Sequence, residues 1–437
     1  MNPLVSDYLK EVLSFVKYRK AHSILTKELY DHIECIKEEC CLEGMDEGKA
    51  YEYAIRQMGE PDALGKQLYR QHKPKSTWLL FLPILALALF GMYSSYNLGR
   101  ISSFQPIIIY LLAGIAGFLI CYFIDFKKLQ KFSYVWVGIG ILFLLFTYAY
   151  GVEINGARRW FQFGPVSVKT VAFAIPLFLI GFAGLLAQFE EASLRRKLVI
   201  IGVTLFCVIL TMINFLVEGI VLYLAIYVTT VYYIFKLKKN KLYRRRNLIG
   251  FVSIGVASIL GFAAKFFLEA YRLQRLQVWL HPDTHPLGYR TRMIRTILKN
   301  SSWLGDSGLQ MVGKDAFSYG IEDYSLLGIV GNLGILAGIL TVCVIVALII
   351  CSFLLSRKYE DRYGNLLLLV ISTFYAIQAV LGIFTQLELL PISTLSIPFL
   401  SYDGSSIVFY FASMGFFLGI ALRRNILPSK LLVSENK

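Results

Sequence analysis

The sequence predicts an all-α polytopic membrane protein of about ten transmembrane helices, preceded by a small cytoplasmic helical domain. Three observations predict it. The 437 residues are 56% hydrophobic and only 17% charged, with a mean hydropathy of +0.59, whereas soluble domains carry about 25% charged residues. Apolar runs of roughly 20 residues recur along the chain, the length that crosses a hydrocarbon core about 30 Å thick. Basic residues crowd into alternate connections between those runs, as membrane topology requires. The net charge of +15 is spread over these short connections. That argues against a phosphate-binding groove for nucleic acid, and no nucleic-acid partner is expected.

Residues 1–75 form the front domain. Leu25, Leu29, Ile33 and Ile36 recur at helical spacing. Gly44 ends that helix, and Asp46 caps a second one carrying Ala50, Ala54, Ile55 and Met58. Gly59-Glu60-Pro61 closes it, and Pro61 suits the first turn of another helix. Three or four short helices follow from this pattern. His32 and its acidic neighbours read as a solvated helix face rather than a metal site. No apolar segment of signal-peptide type precedes the domain. The seven cysteines show no metal spacing and read as reduced or packed thiols.

The membrane domain covers residues 76–425, with a cytoplasmic tail at 426–437. Its apolar runs lie near 77–97, 104–124, 132–151, 170–189, 197–214, 216–235, 247–268, 325–355, 366–388 and 405–422. Backbone polar groups must find partners within the segment in lipid, so these runs are helices. Asn214 and Glu218 mark a tight turn between the nearly fused fifth and sixth. With the N-terminus inside, the short inner segments hold three, three, seven, three and four Lys or Arg, twenty in all. The short outer ones hold Arg100, Arg158, Arg159 and Lys169. Both termini are therefore expected in the cytoplasm of a multi-pass plasma-membrane protein.

One outer segment, 269–324, is too long for a connector. Its first part is basic and its second acidic. Within 289–299, Met293, Ile294, Ile297 and Leu298 form an apolar stripe beside a basic one of Arg292, Arg295 and Lys299. That pattern reads as an amphipathic helix on the membrane surface, serving either as a headgroup anchor or as a ligand contact.

Four motifs in the membrane domain resemble one family. They are Gly156-Ala157-Arg158-Arg159-Trp160 with Gly164-Pro165; Tyr271 and Arg275 with Trp279, Pro282, Pro286 and Gly288-Tyr289; Glu322-Asp323-Tyr324; and Leu389-Leu390-Pro391 with Ile397 to Ser406. Gln378-Ala379 also fits. The chain from about 77 to 425 resembles the FtsW/RodA/SpoVE family of bacterial cell-wall proteins. The front domain is similar to a helical prefix found before membrane proteins of spore-forming bacteria and their relatives.

The resemblance implies a peptidoglycan glycosyltransferase that polymerises lipid II with inversion, in cell division, cell shape or sporulation. It implies a transpeptidase (penicillin-binding protein) partner and allows a divalent cation as cofactor. Arg158, Arg159 and Arg275, with Arg290 and Arg292, would meet the lipid pyrophosphate. Asp323 and the turn containing Ser401, Ser405 and Ser406 would line the same cavity. The family's loop aspartate, its proposed catalytic base, is replaced here by His285, with Asp283 two residues earlier. A family glutamate is also absent at Lys169-Thr170-Val171-Ala172, Gly331-Asn332 stands where two glutamates are common, and Gly382 stands for an asparagine. Two functions follow: a divergent polymerase of weak activity using His285 or Asp283, or an inactive membrane scaffold that regulates wall synthesis. Lipid transport is a third.

Overall fold

The computed structural model describes residues 2–16, 19–72, 81–97, 105–154, 157–163, 166–236, 270–305, 324–357, 361–391, 395–401 and 404–422. The chain divides into two compact units. One comprises residues 1–77 with 421–437, the other residues 78–420.

In the first unit, α1 (Pro3–Ser14), α2 (Arg19–Leu42), α3 (Glu47–Met58) and α4 (Pro61–His72) surround one apolar core. Val5, Leu9, Val12, Leu25, Leu29, Ile33, Ala54 and Leu68 are buried in it. Local chemistry sets the boundaries. Gly44 leaves α2 at φ +91°, and the Asp46 carboxylate accepts from the Gly48 N–H at 3.2 Å to open α3. The Tyr8 hydroxyl donates to the Gly59 carbonyl at 2.9 Å, tying α1 to the α3–α4 corner.

The second unit is built from apolar helices. In order they are α5 (Phe81–Asn97), α6 (Gln105–Phe123), α7 (Phe126–Lys131), α8 (Ser133–Tyr150), α9 (Val171–Gln188), α10 (Leu194–Asn214) and α11 (Leu216–Lys236). Then come α12 (Ala270–Leu280), α13 (Tyr289–Asn300), α14 (Ser325–Leu333), α15 (Ile335–Arg357), α16 (Arg362–Gln386) and α17 (Gly404–Leu422). Seven of these, α8 to α11 and α15 to α17, are long and apolar enough to cross a membrane; α5 and α6 are shorter apolar helices. The protein is thus an all-α polytopic membrane protein. The expected span at 247–268 lies outside the described residues. Burial separates centre from rim: α9, α16 and α17 are 72–78% buried along their apolar windows, but α8, α10 and α15 only 22–28%. Side chains such as Leu142, Phe146, Ile209 and Leu340 point outward, as lipid-facing positions should. All seven cysteines are free of disulfides.

Two departures from the expected pattern stand out. Three short strands, β1 (Val152–Ile154), β2 (Ala157–Phe163) and β3 (Val166–Lys169), form a small antiparallel sheet in the order β1-β2-β3. The run at 325–355 is two helices, because Gly334 adopts φ +96° between α14 and α15. A Cβ there would lie 2.7 Å from the Trp303 carbonyl oxygen, so only glycine fits. The loop at 302–305 docks on the break: Ile335 and Leu336 donate to the Ser302 and Trp303 carbonyls at 3.0 and 3.2 Å. Those bonds satisfy backbone groups the broken helix leaves open.

Ion pairs lie at both ends of the bundle. Where α9 ends and α16 begins, Arg362 pairs with Glu190 at 2.8 Å and donates to the Tyr233 hydroxyl. At the sheet end, Lys169 of β3 pairs with Glu218 of α11 at 2.8 Å, each side chain about 15% exposed. Glu218 therefore sits in the first turn of α11, just past the α10–α11 turn at Phe215.

Candidate functional site

The site lies at the sheet end and begins with a helical hairpin. α12 ends at Leu280, a turn through Pro282 to Gly288 follows, and α13 returns. Gly288 packs so closely on Pro282 that a Cβ would meet the Pro282 carbonyl oxygen at 1.9 Å. Arg292 donates to that same carbonyl, and Arg295 donates to the Trp279 carbonyl at 3.0 Å. Arg295 thereby caps the carbonyl end of α12, where positive charge is favoured, while Arg292 braces the turn beyond it. The apolar stripe expected on α13 exists, but it packs on protein: Met293, Ile294 and Ile297 form a cluster with Tyr324 and Leu327.

Between this hairpin and the end of α16 is a cavity of about 290 Å³. Arg275, Trp279, Arg290 and Thr291 line one wall; Glu388, Leu390 and Pro391 line the other. Gln274, Arg275 and Val278 reach it together because positions i, i+1 and i+4 share a helix face. The Arg290 guanidinium also stands 5.5 Å from the centre of the Tyr324 ring.

Glu388 has φ +55°, a left-handed conformation costing about 1–2 kcal/mol for a residue with a Cβ. Its surroundings hold it there. Its N–H donates to the Thr385 carbonyl at 3.1 Å. Its carbonyl accepts from the Trp279 indole at 2.7 Å. Its carboxylate Oε2 lies 3.5 Å from the Thr291 hydroxyl.

The candidate residues named from the sequence fall in several places. Arg275 lines the cavity. His285 is half-buried in the turn, where its Nδ1 accepts the Leu287 N–H at 3.2 Å and caps the short helical turn at Pro286–Gly288. Asp283 is exposed on the same turn. The Ser401 hydroxyl accepts the Ile397 N–H at 2.6 Å and is buried. The Ser405 hydroxyl accepts the Lys169 N–H at 3.0 Å, joining α17 to β3, and Ser406 is buried beside it. None of these three serines lines the cavity at Arg275. Arg158 and Arg159 lie in β2, with Arg158 opposite Glu153. Asp323 lies outside the described residues. The Gln378 amide donates to the Tyr410 hydroxyl at 2.7 Å inside the bundle. Sequence reading missed Glu388, although a lone acid directly before Leu389-Leu390-Pro391 was a visible signal. Among the described residues no three His, Cys, Asp or Glu side chains gather to hold a metal ion.

Among the described residues, a multi-helix bundle with a charged cavity at its sheet end defines an integral membrane protein with a polar site at one end of the bundle. The family model for FtsW/RodA/SpoVE, described as cell cycle protein, matches residues 75–426, and the chain belongs to that family. It is 26% identical over 302 residues to a probable peptidoglycan glycosyltransferase FtsW of Idiomarina loihiensis, covering 67% of this chain and 71% of that protein. It is 25% identical over 366 residues to the probable peptidoglycan glycosyltransferase FtsW of Bacillus subtilis, covering 78% and 90%. Among solved structures, it resembles a chain of a peptidoglycan synthase complex that coordinates polymerization and crosslinking, with TM-score 0.62 and 21% identity. It also resembles Thermus thermophilus rod shape determining protein RodA, with TM-score 0.58 and 18% identity. Each likeness covers 80% of this chain and 98% of the other.

Proposed function

We propose that this protein polymerises glycan strands of the bacterial cell wall from a lipid-linked disaccharide pyrophosphate, lipid II. The carrying observation is the cavity at the bundle end, where two guanidiniums and a carboxylate face one space. Planar guanidiniums grip phosphate oxygens in pairs, and a carboxylate supplies a hydrogen-bond acceptor for sugar hydroxyls. The apolar bundle beside it suits a polyprenyl tail. In this reading the sheet end faces outward, both termini are cytoplasmic, and the membrane is the plasma membrane, in keeping with the split of basic residues. A transpeptidase is the expected partner, by analogy with the synthase complex that this chain resembles.

Purified protein in detergent, given lipid II, should form glycan strands resolvable by gel electrophoresis. Arg275→Ala and Arg290→Ala should each weaken lipid II binding by about tenfold or more, the scale of a lost charge-assisted hydrogen bond. Tight binding with no strands formed would leave a scaffold or regulator as the function. Binding unchanged in both variants would refute the site.

A further inference from the structure

We propose that Glu388 is the proton acceptor for glycosyl transfer in this cavity, in the role the loop acid would otherwise fill. The inference rests on the polymerase reading above and deepens it.

Geometry favours Glu388 over the two residues on the turn. Among the described residues that line the cavity, Glu388 supplies the carboxylate, across from Arg275 and Arg290. Asp283 is exposed on the turn and is not part of the lining. The His285 ring is committed elsewhere, because its Nδ1 lone pair takes the Leu287 N–H. A neutral imidazole that accepts at Nδ1 carries its proton on Nε2, so no ring lone pair is left to take another.

The backbone points the same way. A glutamate held at φ +55° is strained, and such strain persists where the surrounding structure over-determines it, often at functional sites. Here the over-determination is visible. The Trp279 indole of α12 binds the Glu388 carbonyl at 2.7 Å, so the hairpin carrying the arginines also fixes the residue carrying the acid. The Thr291 hydroxyl stands 3.5 Å from the carboxylate on the α13 side.

The chemistry balances with the groups present and two substrate molecules. A hydroxyl of the acceptor sugar attacks the anomeric carbon of the donor, forming the new C–O bond with inversion. The bond from that carbon to the pyrophosphate oxygen breaks, and its electron pair leaves on the polyprenyl pyrophosphate, facing Arg275 and Arg290. The hydroxyl proton passes to the Glu388 carboxylate. No oxidant or reductant enters the balance.

The test compares full-length wild type with Glu388→Gln, Glu388→Asp and His285→Asn, the last able to keep the turn capped through its amide oxygen. Lipid II binding, strand formation and the pH dependence of rate are measured on each. Size-exclusion profiles and thermal stability confirm folding. Glu388→Gln should bind lipid II within about threefold of wild type yet lose ~10²–10⁴-fold in rate, the span of general-base catalysis. Glu388→Asp should keep part of the rate, and the fall of rate at acid pH should vanish in Glu388→Gln. A rate within threefold of wild type for Glu388→Gln, or a larger loss in His285→Asn than in Glu388→Gln, would overturn the assignment while leaving the polymerase reading intact. Loss of binding and rate together in Glu388→Gln would make it a positioning residue and also overturn the assignment. Wild type that forms no strands would overturn the polymerase reading and this inference with it.

Discussion

At the residue scale, Glu34 of the front domain gathers donors around one carboxylate. Lys37 Nζ lies 2.9 Å away and the Tyr51 hydroxyl 2.8 Å. Hydrogen bonds from Lys37, Tyr30 and Tyr51, in that order of weight, hold its carboxyl down from 4.5 to about 2. A carboxyl depressed on folding adds stability that is fully present above 4.5 and drains away as pH falls through its folded value. A 1–72 fragment, followed by circular dichroism, should therefore melt at a lower temperature at pH 3 than at pH 6. Glu34→Gln should melt lower than wild type at pH 6 and show a flatter fall with acid; equal melting of the two at pH 6 would refute the coupling. Side chains at this scale were only half legible in the sequence. Arg275 could be chosen from its motif, but Glu388 could not be set against it, because Trp279 and Glu388 meet across 109 positions of chain. His285 was legible as a residue in the loop, whereas its use as a cap depends on a turn geometry that no spacing reveals.

At the element scale, the Lys169–Glu218 pair clamps the sheet to the start of α11 at 2.8 Å. The Lys169 N–H holds α17 through Ser405. Removing one partner of a mostly buried pair strands the other charge and costs about 3–5 kcal/mol. Lys169→Met should thus lower the melting temperature in detergent clearly, and Lys169→Met with Glu218→Leu should recover most of the loss. A double variant no better than the single would show that the charge itself is not the issue. The long helices were legible because apolar runs of membrane-spanning length carry their own signal. The strands were not: β1 and β3 have three and four residues, too short for alternation to show. The stripe on α13 was read correctly, but its covering by Tyr324 and Leu327 comes from a segment beyond the loop.

At the scale of the whole molecule, the split of basic residues predicts a topology that single thiols can test. In a background with the native cysteines changed to serine, Thr284→Cys places a single thiol in an exposed turn and Arg195→Cys one at the exposed start of α10, on opposite ends of the bundle. An impermeant maleimide should label the first in intact cells and the second only after lysis; the reverse would invert the protein. The broken helix bears on how that topology is reached. α14 has nine residues and α15 has 23, about 14 and 35 Å at 1.5 Å per residue. To an insertion machinery that senses only greasiness, the two form one ribbon able to settle at several depths in a core about 30 Å thick. The carbonyls of Ser302 and Trp303, which take the Ile335 and Leu336 N–H groups, mark where α15 starts. The segment at 302–305 is thus a peg for α15: two carbonyls just past α13 hold the first residues of that span in place, where hydropathy alone would leave its start undefined.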